Sequence, residues 1–185
     1  MYKMTHDLYE EVERCLSDAD IKRELPDARI IDYSTLKDYH SVEQLLPKLF
    51  DYVIILVELQ FNVGHWVAVL RLKNNIIYFD PYGGRVDKAL SWVDKYMRKE
   101  LGQETPYLTL LFNKAVDDGF NVEFNGVKYQ NASPSVNTCG RHLISFIKYM
   151  KTGFRPTLNK YKKYMDKLSH DNNLNYDLLV TRMML

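Results

Sequence analysis

Apolar positions recur along the chain with two periods, one helical and one alternating, and their succession predicts the order of elements. Leu8, Val12 and Cys15–Leu16 mark a helix over 6–16, with Thr5 as its N-cap and Cys15 on its buried face. Residues 17–50 are mixed, although Ser41-Val42-Glu43-Gln44 reads as a capping box for a short helix ended by Pro47. Three β-type runs follow at 52–59, 66–72 and 76–79, the last two joined by a tight turn at Asn74-Asn75. Val86, Leu90, Val93, Met97 and Leu101 form a helical stripe that Gly102 can stop. Strands are expected at 107–112 and 122–130, the second hairpinned at Asn125-Gly126. From Cys139, the positions Leu143, Phe146–Ile147 and Met150 predict a helix closed by Gly153, and further helices are expected over 157–168 and 174–183. The pattern predicts an α+β fold: a central, mostly antiparallel sheet packed against the helix that begins at Cys139, with flanking N- and C-terminal helices.

At 185 residues the chain is expected to be a single domain, 1–185, with a core of its own. Its 25 basic and 24 acidic side chains nearly cancel, so no global field drives it toward nucleic acid or an anionic membrane. Two cysteines make no disulfide framework, and neither has a CxxC partner or a histidine pair at zinc spacing. A reducing compartment is therefore expected, with no metal and no cofactor. The first eleven residues hold no apolar signal stretch, and no run reaches membrane-spanning length, so neither secretion nor a membrane partner is expected. One local charge bias stands out. Residues 148–168 carry seven basic side chains, among them Lys160, Lys162 and Lys163, against the single acid Asp166. Interleaved with Tyr149, Tyr161 and Tyr164, they mark a candidate nucleic-acid face, although a solvated helix face is the commoner origin of such a run.

The candidate chemistry centres on Cys139, in Asn137-Thr138-Cys139-Gly140, where a polar loop gives way to a helix. A thiol acts as a nucleophile only as thiolate, and the positive end of a helix macrodipole lowers its pKa. Its own amide can face a developing oxyanion, and Gly140 permits close approach of a substrate or backbone. His65, in Gly64-His65-Trp66, is the candidate base; His142, one turn beyond Cys139, is a rival. Asp80, fifteen residues (80 − 65) after His65, opens an Asp-Pro-x-Gly β-turn. It follows a strand expected to pair with the His65 strand, so its carboxylate can also fix the imidazole tautomer. Gln130, nine residues (139 − 130) before Cys139, can supply a second oxyanion donor, with Asn131 and Asn137 as alternatives.

Gly64-His65-Trp66-Val67-Ala68-Val69, Tyr78-Phe79-Asp80-Pro81-Tyr82-Gly83, Gln130 and Thr138-Cys139-Gly140 resemble the cysteine-protease superfamily that includes the adenovirus maturation protease and the SUMO proteases. The likeness covers about 53–150 and is nearer the viral branch, whose members include virophage and transposon proteases. It implies a polypeptide substrate, a capsid or other virion protein, cut after a small residue such as glycine. It also implies His65 as base, Asp80 as orienter, Gln130 as oxyanion donor and Cys139 as nucleophile, with Trp66 and Gly140 lining the cleft. A viral member would act inside the host cell, in cytoplasm or virus factory, and in the virion. The family usually carries Asp before its nucleophile, where this chain has Thr138. SUMO proteases clamp a Gly-Gly tail with a second tryptophan before the histidine. Here the other tryptophan is Trp92, on a later element, which makes deconjugation of a ubiquitin-like modifier the less expected reading. Acyl transfer by the same triad, and a non-catalytic binding role, are the remaining alternatives.

Overall fold

A mixed sheet of five strands, ordered β1-β2-β3-β4-β5, forms the centre of an α+β architecture. The computed structural model describes the backbone of residues 2–185 and the side chains from Leu8 onward. In chain order the elements are α1 (Tyr2–Glu13), α2 (Asp18–Glu24), β1 (Arg29–Asp32), α3 (Val42–Leu45), β2 (Phe50–Gln60), β3 (Val63–Leu72), β4 (Asn75–Phe79), α4 (Lys95–Glu100), α5 (Tyr107–Asp117), β5 (Asn121–Phe124), α6 (Cys139–Thr152), α7 (Leu158–Asn172) and α8 (Tyr176–Arg182). They group into two compact units. One is continuous, Ala28–Gly126, and holds the whole sheet; the other joins Met1–Asp27 to Val127–Leu185.

In the sheet unit the expected β2-β3-β4 meander forms, antiparallel throughout. The edge strands β1 and β5 each add in parallel, to β2 and β4. Val53, Ile55 and Val57 of β2 and Val67 and Val69 of β3 share a core with Leu36, Leu45, Leu108, Leu111 and Phe112. Each such side chain removed from water contributes about 1.5–3 kcal/mol before entropic costs. Ser41 caps α3 as expected, accepting from the Gln44 N–H.

Three expectations in this unit are corrected. Residues 107–112 are the start of α5, not a strand: Leu108, Leu111, Phe112 and Ala115 are buried at helical spacing behind Pro106. The expected 86–101 helix is broken. Asp87 adopts a left-handed φ of 60°, a 3₁₀ turn occupies Lys88–Trp92, and Asp94 starts α4 afresh by accepting from the Met97 N–H. The expected 122–130 strand ends at Phe124, and Asn125-Gly126 forms no hairpin, because the Asn125 side chain is taken up by the Asp80 backbone.

In the other unit α1 stops at Glu13, short of the expected Leu16, since Ser17 opens a capping box for α2. Cys15 therefore lies in the connecting loop, exposed rather than on a buried helix face. The capping role expected of Thr5 falls outside the described side chains. Leu8, Val12 and Leu178 pack α1 against α8. Arg141, 2% exposed, reaches from α6 to the Arg14 carbonyl (2.7 Å) and to Glu11 (2.8 Å). Helices α6, α7 and α8 match the expected positions, with α7 extending to Asn172.

Candidate active site

The sheet unit brings His65 and Asp80 together. They lie fifteen residues apart (80 − 65), and β3 and β4 run antiparallel with Ala68 opposite Phe79. Three residues beyond that pair, on either strand, stand His65 and Tyr82, and their rings stack at 4.8 Å. His65 Nε2 meets Asp80 Oδ1 at 2.8 Å, with the two side chains 4% and 0% exposed. The same Oδ1 accepts the Tyr82 N–H (2.9 Å), and the Gly83 N–H bonds the Asp80 carbonyl (2.8 Å). Asp80 is thus both the turn corner and the partner of the imidazole. With Nε2–H donating to Asp80, Nδ1 is the nitrogen that holds the lone pair of the neutral ring.

Two buried side-chain amides fix this region, each copying a strand's pair of backbone hydrogen bonds. Asn125 accepts from the Asp80 N–H and donates to the Asp80 carbonyl, both at 2.8 Å. Gln103 does the same to Glu58, accepting at 3.0 Å and donating at 2.8 Å, where the β2-β3 register shifts. Gly64, opposite Glu58, is required by close approach. A Cβ there would stand 2.1 Å from the Val57 carbonyl oxygen. Gly84 plays a similar part beside the Asp80 carboxylate, whose Oδ2 is 2.9 Å from where a Cβ would stand.

Trp66 is buried, while Trp92 is 45% exposed and sets its ring against His65 (5.4 Å) and Tyr82 (5.5 Å), edge to face. Tyr82, Trp92, Gln103 and Asn125 escape the sequence reading. Only the register of the hairpin could have pointed to Tyr82, and no local pattern marks the other three.

The helical unit holds Cys139 and Gln130. Cys139 is the first residue of α6 and half-buried; Gly140 packs on Leu16, whose Cβ is 3.1 Å from an added Cβ. Thr138 occupies the N-cap position without capping the helix. Its hydroxyl donates instead to Asp177 Oδ1 of α8 (2.5 Å). His142 Nε2 meets the same oxygen at 3.0 Å, and the Asn131 N–H donates to Oδ2 at 3.0 Å. His142 is fully buried, which pushes its pKa below the usual value, with Asp177 acting in the opposite sense. A neutral, sequestered imidazole committed to Asp177 is poorly suited to the rival role of base.

Gln130 is buried, and its Nε2 donates to the Val136 carbonyl at 3.0 Å within its own loop. Asn131 binds Asp177 through its backbone, and the Asn137 side chain holds the Glu13 carbonyl at 2.8 Å. Most of the basic side chains of 148–168 have intramolecular partners. Lys148 and Lys151 pair with Glu24 and Asp27, Lys162 and Lys167 with Asp166 and Asp171, and Lys160 donates to the Phe154 and Arg155 carbonyls. Among the described residues no group of three His, Cys, Asp or Glu side chains could hold a metal ion, and no helix is long and apolar enough to cross a membrane.

No family model matches the chain. It is 29% identical over 177 residues to "Uncharacterized protein V9" of Sputnik virophage, an alignment covering 94% of each chain. Among solved structures it is similar to the ASFV pS273R protease (TM-score 0.49, 10% identity, 95% of this chain and 68% of the other). It is also similar to the central domain of the uncharacterized Lpg1148 protein of Legionella pneumophila (TM-score 0.42, 21% identity, 92% and 97%).

Proposed function

We propose that the chain is a cysteine endopeptidase. The observation that carries the reading is the buried His65–Asp80 pair at 2.8 Å, an imidazole held in one tautomer by a carboxylate. Neither side chain contributes hydrophobic burial, and a bare turn needs Asp80 but not His65. Cys139, at the start of a 14-residue helix, is the nucleophile that this base would serve.

In the proposed reaction His65 Nδ1 takes the thiol proton, and the Cys139 sulfur attacks the peptide carbonyl carbon. The Cys139 amide and the Gln130 side chain steady the oxyanion. His65 then gives the proton to the departing amine as the C–N bond breaks, leaving a thioester. A water, deprotonated by His65, hydrolyses the thioester and restores the thiol. Asp80 accepts from the ring and stabilises the imidazolium while it exists.

The likeness to a virophage protein favours a viral setting: maturation of a capsid or other virion protein, within the infected cell and in the virion. Small residues before the cut are the proposed preference. A second reading, deconjugation of a ubiquitin-like modifier, gains support from Trp92, whose half-exposed ring adjoins His65 although it comes later in the chain. The pairing of Lys162 and Lys167 with Asp166 and Asp171 on α7 favours a solvated face over a nucleic-acid site. A weak DNA affinity with a shallow salt dependence is the corresponding expectation, and a steep one lost on changing Lys160, Lys162 and Lys163 would restore the nucleic-acid reading.

The test is cleavage of a diverse peptide library by wild type and Cys139→Ala, read by mass spectrometry. Products that vanish in Cys139→Ala and share a small residue before the cut support the endopeptidase. Equal cleavage by both proteins removes it. Release of a modifier from an isopeptide-linked probe, without library cleavage, selects the second reading.

A further inference from the structure

Asp177 lies 38 residues (177 − 139) beyond the nucleophile, on a different helix, and no motif marks it. It is 6% exposed, and its two oxygens receive three hydrogen bonds from three separate points of one loop and helix. Thr138 is the residue before Cys139, His142 lies in the next turn of α6, and Asn131 follows Gln130. One carboxylate therefore ties down both sides of the nucleophile and the stem of the proposed oxyanion donor.

The behaviour of Thr138 gives the arrangement its chemical sense. Threonine at an N-cap ordinarily turns its hydroxyl back onto the first-turn N–H groups, satisfying one of them. Here the hydroxyl bonds Asp177, and Thr138, at φ −100° and ψ 6°, makes no side-chain cap bond to α6. The residue before Cys139 is thereby anchored to α8 rather than to its own helix. The carboxylate does this at the cost of burying a charge, which its three donors offset.

We infer that Asp177 is a positioning residue for the Cys139 centre. It holds the Gln130 loop and the α6 N-terminus in register. The inference rests on the protease reading for its catalytic consequence, but its geometric content concerns the Cys139 centre alone.

The experiment compares wild type with Asp177→Asn, Thr138→Val and Thr138→Ser, using the full chain. In Asp177→Asn one oxygen becomes an NH₂ group, which cannot accept the Asn131 N–H while the other oxygen serves Thr138 and His142. Thr138→Val removes one hydroxyl and keeps the shape, whereas Thr138→Ser keeps the hydroxyl. Leu179→Ala, on the same helix but away from the carboxylate, serves as a control for stability loss alone. Peptide turnover is measured well below each melting temperature. The rate of Cys139 alkylation by iodoacetamide is measured in parallel, because it needs no peptide hydrolysis.

Asp177→Asn and Thr138→Val are each expected to lower kcat by about 10²-fold with little change in KM, the scale of a 1 Å misplacement. Alkylation should slow in both, Thr138→Ser should recover turnover and alkylation, and Leu179→Ala should change neither. Unchanged kcat and alkylation in folded Asp177→Asn, or a loss equal to that of Leu179→Ala, would overturn the role. If wild type cleaves nothing while alkylation still follows Asp177 and Thr138, the positioning role stands and the protease reading falls.

Discussion

Around His65 and Asp80 the backbone is fastened many times over. Three antiparallel strands, an Asp-turn and two side-chain amides at Gln103 and Asn125 all fix the same few ångströms. Around Cys139 the order comes from side chains: the Asp177 carboxylate takes three donors from one loop and helix, while Asn137 and Arg141, two residues to either side, hold the Glu13 and Arg14 carbonyls. The contrast follows from the chemistry of the elements. A sheet supplies a donor and an acceptor at every residue, so a strand end inherits its position from its neighbours. A helix N-terminus leaves its amides unpaired and needs an outside anchor.

The widest expected effect tests the purpose of the sheet-borne pair. Asp80→Asn should leave the protein folded, since an amide oxygen can still accept the Tyr82 N–H. That same oxygen can still accept His65 Nε2–H, but it no longer carries the charge that stabilises the imidazolium, and peptide turnover should fall by up to about 10⁴-fold, with residual activity measurable. Full activity would reduce Asp80 to a turn residue. Next comes redundancy. Asn125→Ala leaves the Asp80 N–H and carbonyl buried without their partner, a loss of about 2–5 kcal/mol in urea unfolding. Gln103→Ala should cost a similar amount through Glu58. A loss below about 0.5 kcal/mol in either would mean that the strands alone suffice.

The smallest expected effect belongs to the helical unit. Burial holds the His142 pKa below its ordinary 6.5, so the unfolded chain takes up a proton first as pH falls. Stability from this group is full above about 6.5 and declines below it, at no more than about 1.4 kcal/mol per pH unit, until the native ring also protonates. His142→Gln should flatten the acid side of the stability profile below about pH 6.5 without altering its slope above 7. An unchanged acid slope would mean that the ring takes up its proton as readily in the native state as in the unfolded chain.

What the sequence discloses follows the same division. His65 and Asp80 are legible because the hairpin joining them is local, two continuous apolar runs and a two-residue turn. The helix from Cys139 is legible because its apolar stripe is unbroken. The edge strand β1, and the parallel pairing of both β1 and β5, are not, since their partners lie beyond any window of periodicity. Tyr107–Phe112 misleads because six residues of Tyr, Leu, Thr and Phe suit either period, and only Ala115 in the following turn decides it. The 86–101 stripe is genuine in spacing but interrupted by Asp87 and Asp94, both of which favour breaks. Asp177 has no signal at all: its meaning arises only when α8 packs beside α6.

The chain order of the two units has a consequence during synthesis. Residues 28–126 leave the ribosome as one continuous stretch, and domains generally fold as units as they emerge. The remaining unit cannot close until α8 is made, because α1 waits for Leu178 and Thr138 for Asp177. A nascent chain can thus form its His65–Asp80 pair early, while the surroundings of Cys139 wait for α8. Under the proposed protease reading, neighbouring unfinished chains would be spared until residue 177 has left the ribosome and packed beside α6.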